Sequence, residues 1–475
     1  MKQSEKLYDA ITDIREDIVL GAEQHKFQIK RRRAPRWAAS IAAVLAVAIA
    51  VTAVAWPSSQ SVVKAYAIAE AVYPEMAEYP DENSSRFDAQ YDAWWEDIRA
   101  QRQPEGYANG LEDFFADSIQ AFLGDANGEN KVYSPLNVYM ALCMLSELTD
   151  GNSRKQILDA LGCGSIQAVR QQANQVWNAN YQNDGATTSI LASSLWLNED
   201  VSFDPSTMDR LAETYYASSY QGKMGSEELN LALQNWLNEQ TNGLLENQIG
   251  EIELDAGTIL ALATTISYRA KWSTEFRDSY NTEDVFHGTA GDVTVEYMHQ
   301  SPDQEYYWGD QFAAVSKNLK SYGHMWFILP DEGVTPEELL KNQQVLDFIT
   351  SDGESAESKR LIVNLSIPKF DVSSQIELKG GMEQLGITDV FDANTSDFSP
   401  TTAAMEGIYL SQAAHGARVA IDEEGVIAAA YTVMVEPSAA EPPEDEVDFV
   451  LDRPFLFVIT GAAGEPMFVG IVNRI

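Results

Sequence analysis

The sequence predicts an α+β domain preceded by one membrane-spanning helix, on three observations. Twenty residues without a charge run from Trp37 to Trp56, and apolar residues recur at helical spacing between Leu111 and Leu148. Towards the C-terminus apolar and polar residues alternate instead, as in Ala417-Arg418-Val419-Ala420-Ile421-Asp422. Helical patterning in the first part and strand patterning in the second is the order of an α+β chain.

Residues 1–36 carry nine Lys/Arg and six Asp/Glu, a net of +3, and the remainder a net of −43. A short basic segment before a long acidic one suits two compartments. Within it Leu7, Ile11, Ile14 and Ile18 lie at helical spacing between charges, which predicts a short amphipathic helix for a partner or a membrane surface. The apolar run Trp37–Trp56 reaches roughly 30 Å at helical rise, the thickness of a bilayer's hydrocarbon. A tryptophan stands at each end, and Arg31, Arg32, Arg33 and Arg36 crowd its N-terminal side. The positive-inside rule then places residues 1–36 in the cytoplasm and everything after Pro57 outside. Ala53-Val54-Ala55 has the form of a signal-peptidase site, but the 36 residues before the apolar run are long for a signal peptide, so an uncleaved anchor is expected.

Residues 57–108 open as Pro57-Ser58-Ser59-Gln60-Ser61 and continue through acidic Tyr- and Trp-rich stretches broken by Pro and Gly. They read as a linker or stalk able to pack on the domain beyond it. From about residue 109 the pattern is globular. Leu111, Phe114, Phe115, Ile119 and Phe122 share one helix face. Ser134-Pro135 reads as an N-cap followed by proline in the first turn, with the helix running through Leu148 and stopping near Gly151. Leu361–Phe370 is a strand candidate.

A net charge of −40 excludes a general nucleic-acid binder. The two cysteines, Cys143 and Cys163, lie in no C-x-x-C motif, which argues against a thiolate zinc site. They either pair outside the cell or remain thiols in an apolar helical region. None of the five histidines lies in H-E-x-x-H, and there is no G-x-S-x-G elbow, P-loop or dinucleotide fingerprint. Neither an enzyme nor a cofactor is expected.

Several segments, in order, resemble one family. Asn130 to Asn137 (NKVYSPLN) and the following ALCMLSELTDGNSRKQILDALG are similar to the start of the serpin domain. Asn235-Trp236-Leu237 with Gln240-Thr241-Asn242-Gly243, Lys271-Trp272 to Phe276, and Thr282 to Phe286-His287 resemble its middle. Ile367-Pro368-Lys369-Phe370, Leu385 to Phe391 (LGITDVF), His415 to Gly425, Arg453 to Phe457 (RPFLF) and Phe468-Val469-Gly470 resemble its C-terminal part. The likeness covers about residues 109–475. It implies a large central mixed sheet, two smaller sheets, eight or nine helices and an exposed reactive-centre loop.

The resemblance also implies a mechanism: a target serine protease attacks the loop, an acyl-enzyme forms, and the loop inserts as a new strand before deacylation. The hinge of that loop is Gly425, Val426, Ala428, Ala429, Ala430 and Thr432. Its inward set, Val426, Ala428, Ala430, Thr432 and Met434, is small or apolar with no charge and no proline, which suits a buried strand. Ile427 and Tyr431 depart from the family pattern, on the outward set. The family's spacing places the reactive bond at Ala439–Ala440, with Ser438–Ala439 the rival, and a small residue there fits an elastase-like or subtilisin-like target. A polar cluster controlling strand separation is implied at Ser134, Asn137, Thr264 and His415, where an exchange of amide and hydroxyl is expected to keep a hydrogen-bond network. Trp272 and the pair Lys369–Glu423 are implied at the point where the hinge enters. The expectation is a monomer that partners a protease covalently and a membrane through residues 37–56. The alternatives are a non-inhibitory surface binding protein and a cross-class inhibitor of cysteine proteases.

Overall fold

The structure, a computed structural model, describes residues 59–80, 84–241, 243, 253–320, 322–402, 407–426 and 445–475. The expected amphipathic helix, the membrane segment 37–56, the hinge residues Ala428, Ala429, Ala430 and Thr432, and the bond Ala439–Ala440 lie outside these. Among the described residues no helix is long and apolar enough to cross a membrane.

Eleven α-helices occur among the described residues: α1 (Ser59–Lys64), α2 (Phe87–Ala100), α3 (Glu112–Leu123), α4 (Pro135–Leu148), α5 (Gly151–Ala160), α6 (Ile166–Asn180), α7 (Pro205–Tyr215), α8 (Glu227–Gln240), α9 (Pro336–Leu339), α10 (Gln343–Thr350) and α11 (Lys379–Gln384). Nine lie after residue 109; the two beyond the expected number come from the stretch read as a linker. In α4 the Ser134 hydroxyl accepts the Asn137 N–H at 3.1 Å and Pro135 occupies the first turn. Every residue of α4 is buried, as a helix apolar on all sides must be.

An eight-stranded sheet lies at the centre. Its strands are β1 (Ala67–Ala69), β2 (Gln182–Asn183), β3 (Thr188–Asn198), β4 (Ala217–Gly222), β5 (Leu260–Lys271), β6 (Phe370–Glu377), β7 (Leu410–Ile421) and β8 (Gly425–Val426). They run in the order β1-β4-β3-β5-β8-β7-β6, with β2 beside β3. Alternation along β5 sorts its two faces. Ala261 and Ala263 pack with Trp236 and Leu237 of α8, while Leu260, Leu262, Ile266 and Tyr268 face the main core.

The two smaller sheets that the resemblance implies are joined here into one of ten strands. The strand Asp303–Gly309 pairs with both Phe312–Asn318 and Glu357–Pro368 and so bridges them. Leu361–Phe370, read as one strand, is also corrected. Glu357–Pro368 belongs to the ten-stranded sheet and β6 to the eight-stranded one, with Lys369 alone between them. Pro368 has no N–H to extend a ladder, and the chain changes sheets there.

The described residues between 59 and 108 pack on the domain. Antiparallel β1 pairs with β4, Tyr73 lies 5.4 Å from the Trp177 ring, and Trp94 Nε1 donates to Asp184 at 3.1 Å. Cys143 and Cys163 are both free thiols.

Candidate functional site

Two neighbouring strands of the central sheet are parallel and share only part of their length. β5 pairs directly with β7 from Leu260–Leu410 to Thr265–Gly416. Beyond that point β8 stands between them, with Gly425 opposite Lys271, and Val426 opposite Ala270 on one side and Ile421 on the other. Val426 is 1% exposed and belongs to the core. A side-chain carbon on Gly425 would meet the Ala270 carbonyl and, at 2.8 Å, the Lys271 Cα, so only glycine fits there.

The turn before β8 is fixed by three groups. Asp422 Oδ1 accepts the N–H groups of Glu424 and Gly425 at 2.9 and 3.1 Å. From the loop after β5, Trp272 donates its backbone N–H to the Glu424 carbonyl and its indole N–H to the Asp422 carbonyl, both at 2.9 Å. Phe276 donates its N–H to the Glu423 carbonyl at 2.9 Å. The third group is ionic. Lys369 Nζ lies 2.6 Å from Glu423 and 2.8 Å from Glu296, and Asn281 donates to both carboxylates. Burial opposes charge on Glu423, but hydrogen bonds from Lys369, its own N–H and Asn281 outweigh it and hold the carboxyl below its usual range. On Lys369 burial likewise opposes charge and the two carboxylates outweigh it, holding the ammonium above its usual range.

Where the direct pairing of β5 and β7 nears its end, Thr264 lies opposite His415. His415 Nε2 accepts the Ser134 N–H at 3.0 Å, which ties the sheet to the start of α4 and leaves Nδ1 as the protonated ring nitrogen. Burial pushes this imidazole down to about 4, against a weaker opposing pull from the Thr264 backbone, so it is neutral at neutral pH. The expected exchange of amide for hydroxyl is not formed: the Asn137 amide atoms and the Thr264 hydroxyl find no hydrogen-bond partner in the protein. The contact made is backbone to ring, because the Ser134 hydroxyl is taken as the helix cap.

Trp272, Lys369 and Glu423 are thus gathered at the entry of β8, and Ser134 and His415 at the closed part of the seam. Asn281, Glu296 and Phe276 complete the entry. Glu296 and Asn281 carried no signal of their own, since acids and amides are common in this chain and their place depends on the fold.

A parallel strand pair parted at one end by the start of a third strand is the arrangement the site presents. The chain belongs to the serpin (serine protease inhibitor) family, whose model matches residues 109–475. Plasminogen activator inhibitor 1 of Neovison vison is 27% identical over 365 residues, 72% of this chain and 86% of that protein. The solved native-state structure of the thermophilic serpin tengpin superposes with a TM-score of 0.69 at 25% identity, over 79% of this chain and 95% of that one. Human thyroxine-binding globulin complexed with its hormone shares the fold at 21% identity and a TM-score of 0.64, over 78% of this chain and 99% of that one.

Proposed function

We propose that the chain is a suicide inhibitor of serine proteases of elastase-like or subtilisin-like preference, held at the cell surface by residues 37–56. The observation that carries the inhibitory reading is the start of a strand at Gly425–Val426 between β5 and β7. Continuing that antiparallel register along β5 brings Ala428 opposite Tyr268, Ala430 opposite Ile266, Thr432 opposite Thr264 and Met434 opposite Leu262. Residues directly opposite each other point to the same face. Tyr268, Ile266 and Leu262 face the main core, so the uncharged inward set of the hinge would enter it. The bulky Ile427 and Tyr431 would face the side covered by α8.

The chemistry is an acyl transfer interrupted. The protease serine attacks the Ala439 carbonyl, the peptide nitrogen of Ala440 leaves as an amine, and Ala439 stays esterified to the protease. Insertion exchanges one direct β5–β7 ladder for two ladders to the new strand. That gain displaces the protease before water cleaves the ester. The small side chain at Ala439 fits a pocket that needs no cation. The surface location rests on the apolar run Trp37–Trp56 and the arginines before it.

The test mixes the protein with a pancreatic-type elastase on a denaturing gel. A band of summed mass that survives heat and detergent supports trapping, and mass spectrometry of the released peptide fixes the bond. Cleavage without a complex, across a range of serine and cysteine proteases, replaces the inhibitory reading by that of a surface binding protein.

A further inference from the structure

The chain from Ser59 to Ala69 is fastened at one particular end of the central sheet. The Tyr66 carbonyl, two residues past α1, accepts the Gln221 N–H at 2.8 Å. The neighbouring strands continue at the same level: Glu199 donates its N–H to the Gly222 carbonyl and Asn198 to the Ile259 carbonyl, both at 3.0 Å. Ile259 stands just before Leu260, where β5 begins. In α1 itself Val63 is 4% exposed and packs with Leu229 of α8 and with Leu254, on the approach to β5.

α1 therefore lies at the Leu260 end of β5, and the hinge enters at the Lys271 end. The 12 residues of β5 put these ends about 36 Å apart. Before entry the reactive loop is held at both of its ends: Val426 stands beside Ala270, and Glu446 opposite Ile362 in the ten-stranded sheet.

Continuing the register begun at Gly425–Val426 carries the loop from one end to the other. The stretch from Gly425 to Val435 holds neither a charge nor a proline, and it runs opposite β5 from Lys271 to Ala261. Glu436 comes opposite Leu260, and Pro437, with no N–H for a ladder, falls just past it. Ala439 comes level with Gly257, beyond the start of β5. A protease esterified to Ala439 travels with it and arrives at the end where α1 is fastened, four strand spacings, about 19 Å, from β1.

Only three residue steps lead from Trp56 to Ser59, and three extended residues reach about 11 Å at most. However the domain leans on so short a tether, the α1 end stays beside the bilayer, while the Lys271 end is free to stand off it. A protease of ~240 residues is about 45 Å across, so one bonded about 19 Å from β1 reaches the lipid. We infer that a protease trapped by the anchored chain is set down on the membrane that holds the inhibitor, because the Leu260 end of the central sheet is both the point of attachment and the point of arrival. This rests on the inhibitory and surface readings above. The contact it creates is between the protease and the phospholipid headgroups, and it exists only in the covalent complex.

The experiment reconstitutes the full chain in phosphatidylcholine vesicles that carry an energy-transfer acceptor on the lipid headgroups, with the donor on an elastase. Elastase whose catalytic serine is replaced by alanine docks on the loop without acylating it and gives the reference. Active elastase gives the trapped complex. The transfer efficiency is expected to rise about twofold or more from docked to trapped, because the protease moves by about the length of β5 towards the lipid. A spacer of about 60 Gly/Ser residues between Ser58 and Ser59, with a mean reach of ~43 Å, should leave the covalent band intact and remove the rise. A covalent complex whose transfer does not exceed the docked reference, or a rise that persists in full with the spacer, overturns this inference and leaves inhibition standing. A chain that fails to float with the vesicles overturns the surface reading, and a chain that forms no covalent band overturns the inhibitory one, each taking this inference with it.

Discussion

The contact between His415 and Ser134 shows how much one position depends on its neighbours. A histidine in this sequence reads equally as a base, a ligand or a core residue; only the closed β5–β7 pair makes it a neutral acceptor for a backbone N–H. Thr264, opposite it, keeps a hydroxyl that bonds nothing in the protein. Thr264→Val preserves the shape and removes that buried polar group. It should raise stability by about 1 kcal/mol, read as a higher denaturant midpoint at unchanged slope. A loss of stability would restore the hydrogen-bond network expected from the sequence. Lys317 marks the other limit of residue-level reading. Between Ser316 and Asn318 a lysine looks like a solvated position, and nothing local says that Trp272 and Phe276, more than 40 residues earlier, will cover it.

Elements were more legible than residues where a local rule acts. The cap at Ser134, the proline after it and the aromatic face of α3 are consequences of short-range geometry, and they appear where the pattern puts them. The strand from Leu361 was legible as a strand but not as two, because what divides it at Lys369 is the choice of sheet, a long-range matter. Residues 59–108 show the same limit, since broken composition does not reveal that three residues will extend a sheet edge. Without this segment the outer edge of β4 and the ring faces of Trp177 and Tyr181 would meet water. A chain lacking residues 59–108 should melt a few degrees lower in a thermal scan, the shift per kcal/mol being about 2 °C or less for a large domain. It should also scatter light on heating, because an open strand edge pairs with other chains.

At the scale of the molecule, the response to acid stems from groups already placed. His415 is held below its ordinary value of ~6.5, so the unfolded chain binds the proton first, and stability falls as pH drops from about 6.5 to about 4. For a fully buried group the loss is on the order of 3 kcal/mol. Glu423 is also held below its ordinary range, so its contribution is present above ~4.3 and is lost as pH falls further. The two windows run in sequence. Denaturant midpoints measured from pH 7 to pH 3 should therefore decline in two stages, the first removed by His415→Phe and the second reduced by Glu423→Gln. A single stage below pH 4.5 would mean that His415 is not sealed from water.

Lys369 belongs to neither strand it joins, and that has a mechanical consequence. Its backbone N–H is fixed to the Glu296 carbonyl at 3.1 Å, within the ten-stranded sheet, while its side chain grips Glu423 ahead of β8. The catch on the hinge is therefore mounted on the frame and not on the door. Undoing the catch leaves every rung of the eight-stranded sheet in place. On the proposed mechanism, the grip on the turn before β8 and the β5–β7 pairing draw on separate residues, so a substitution at Lys369 or Glu423 changes the first without removing a rung of the second.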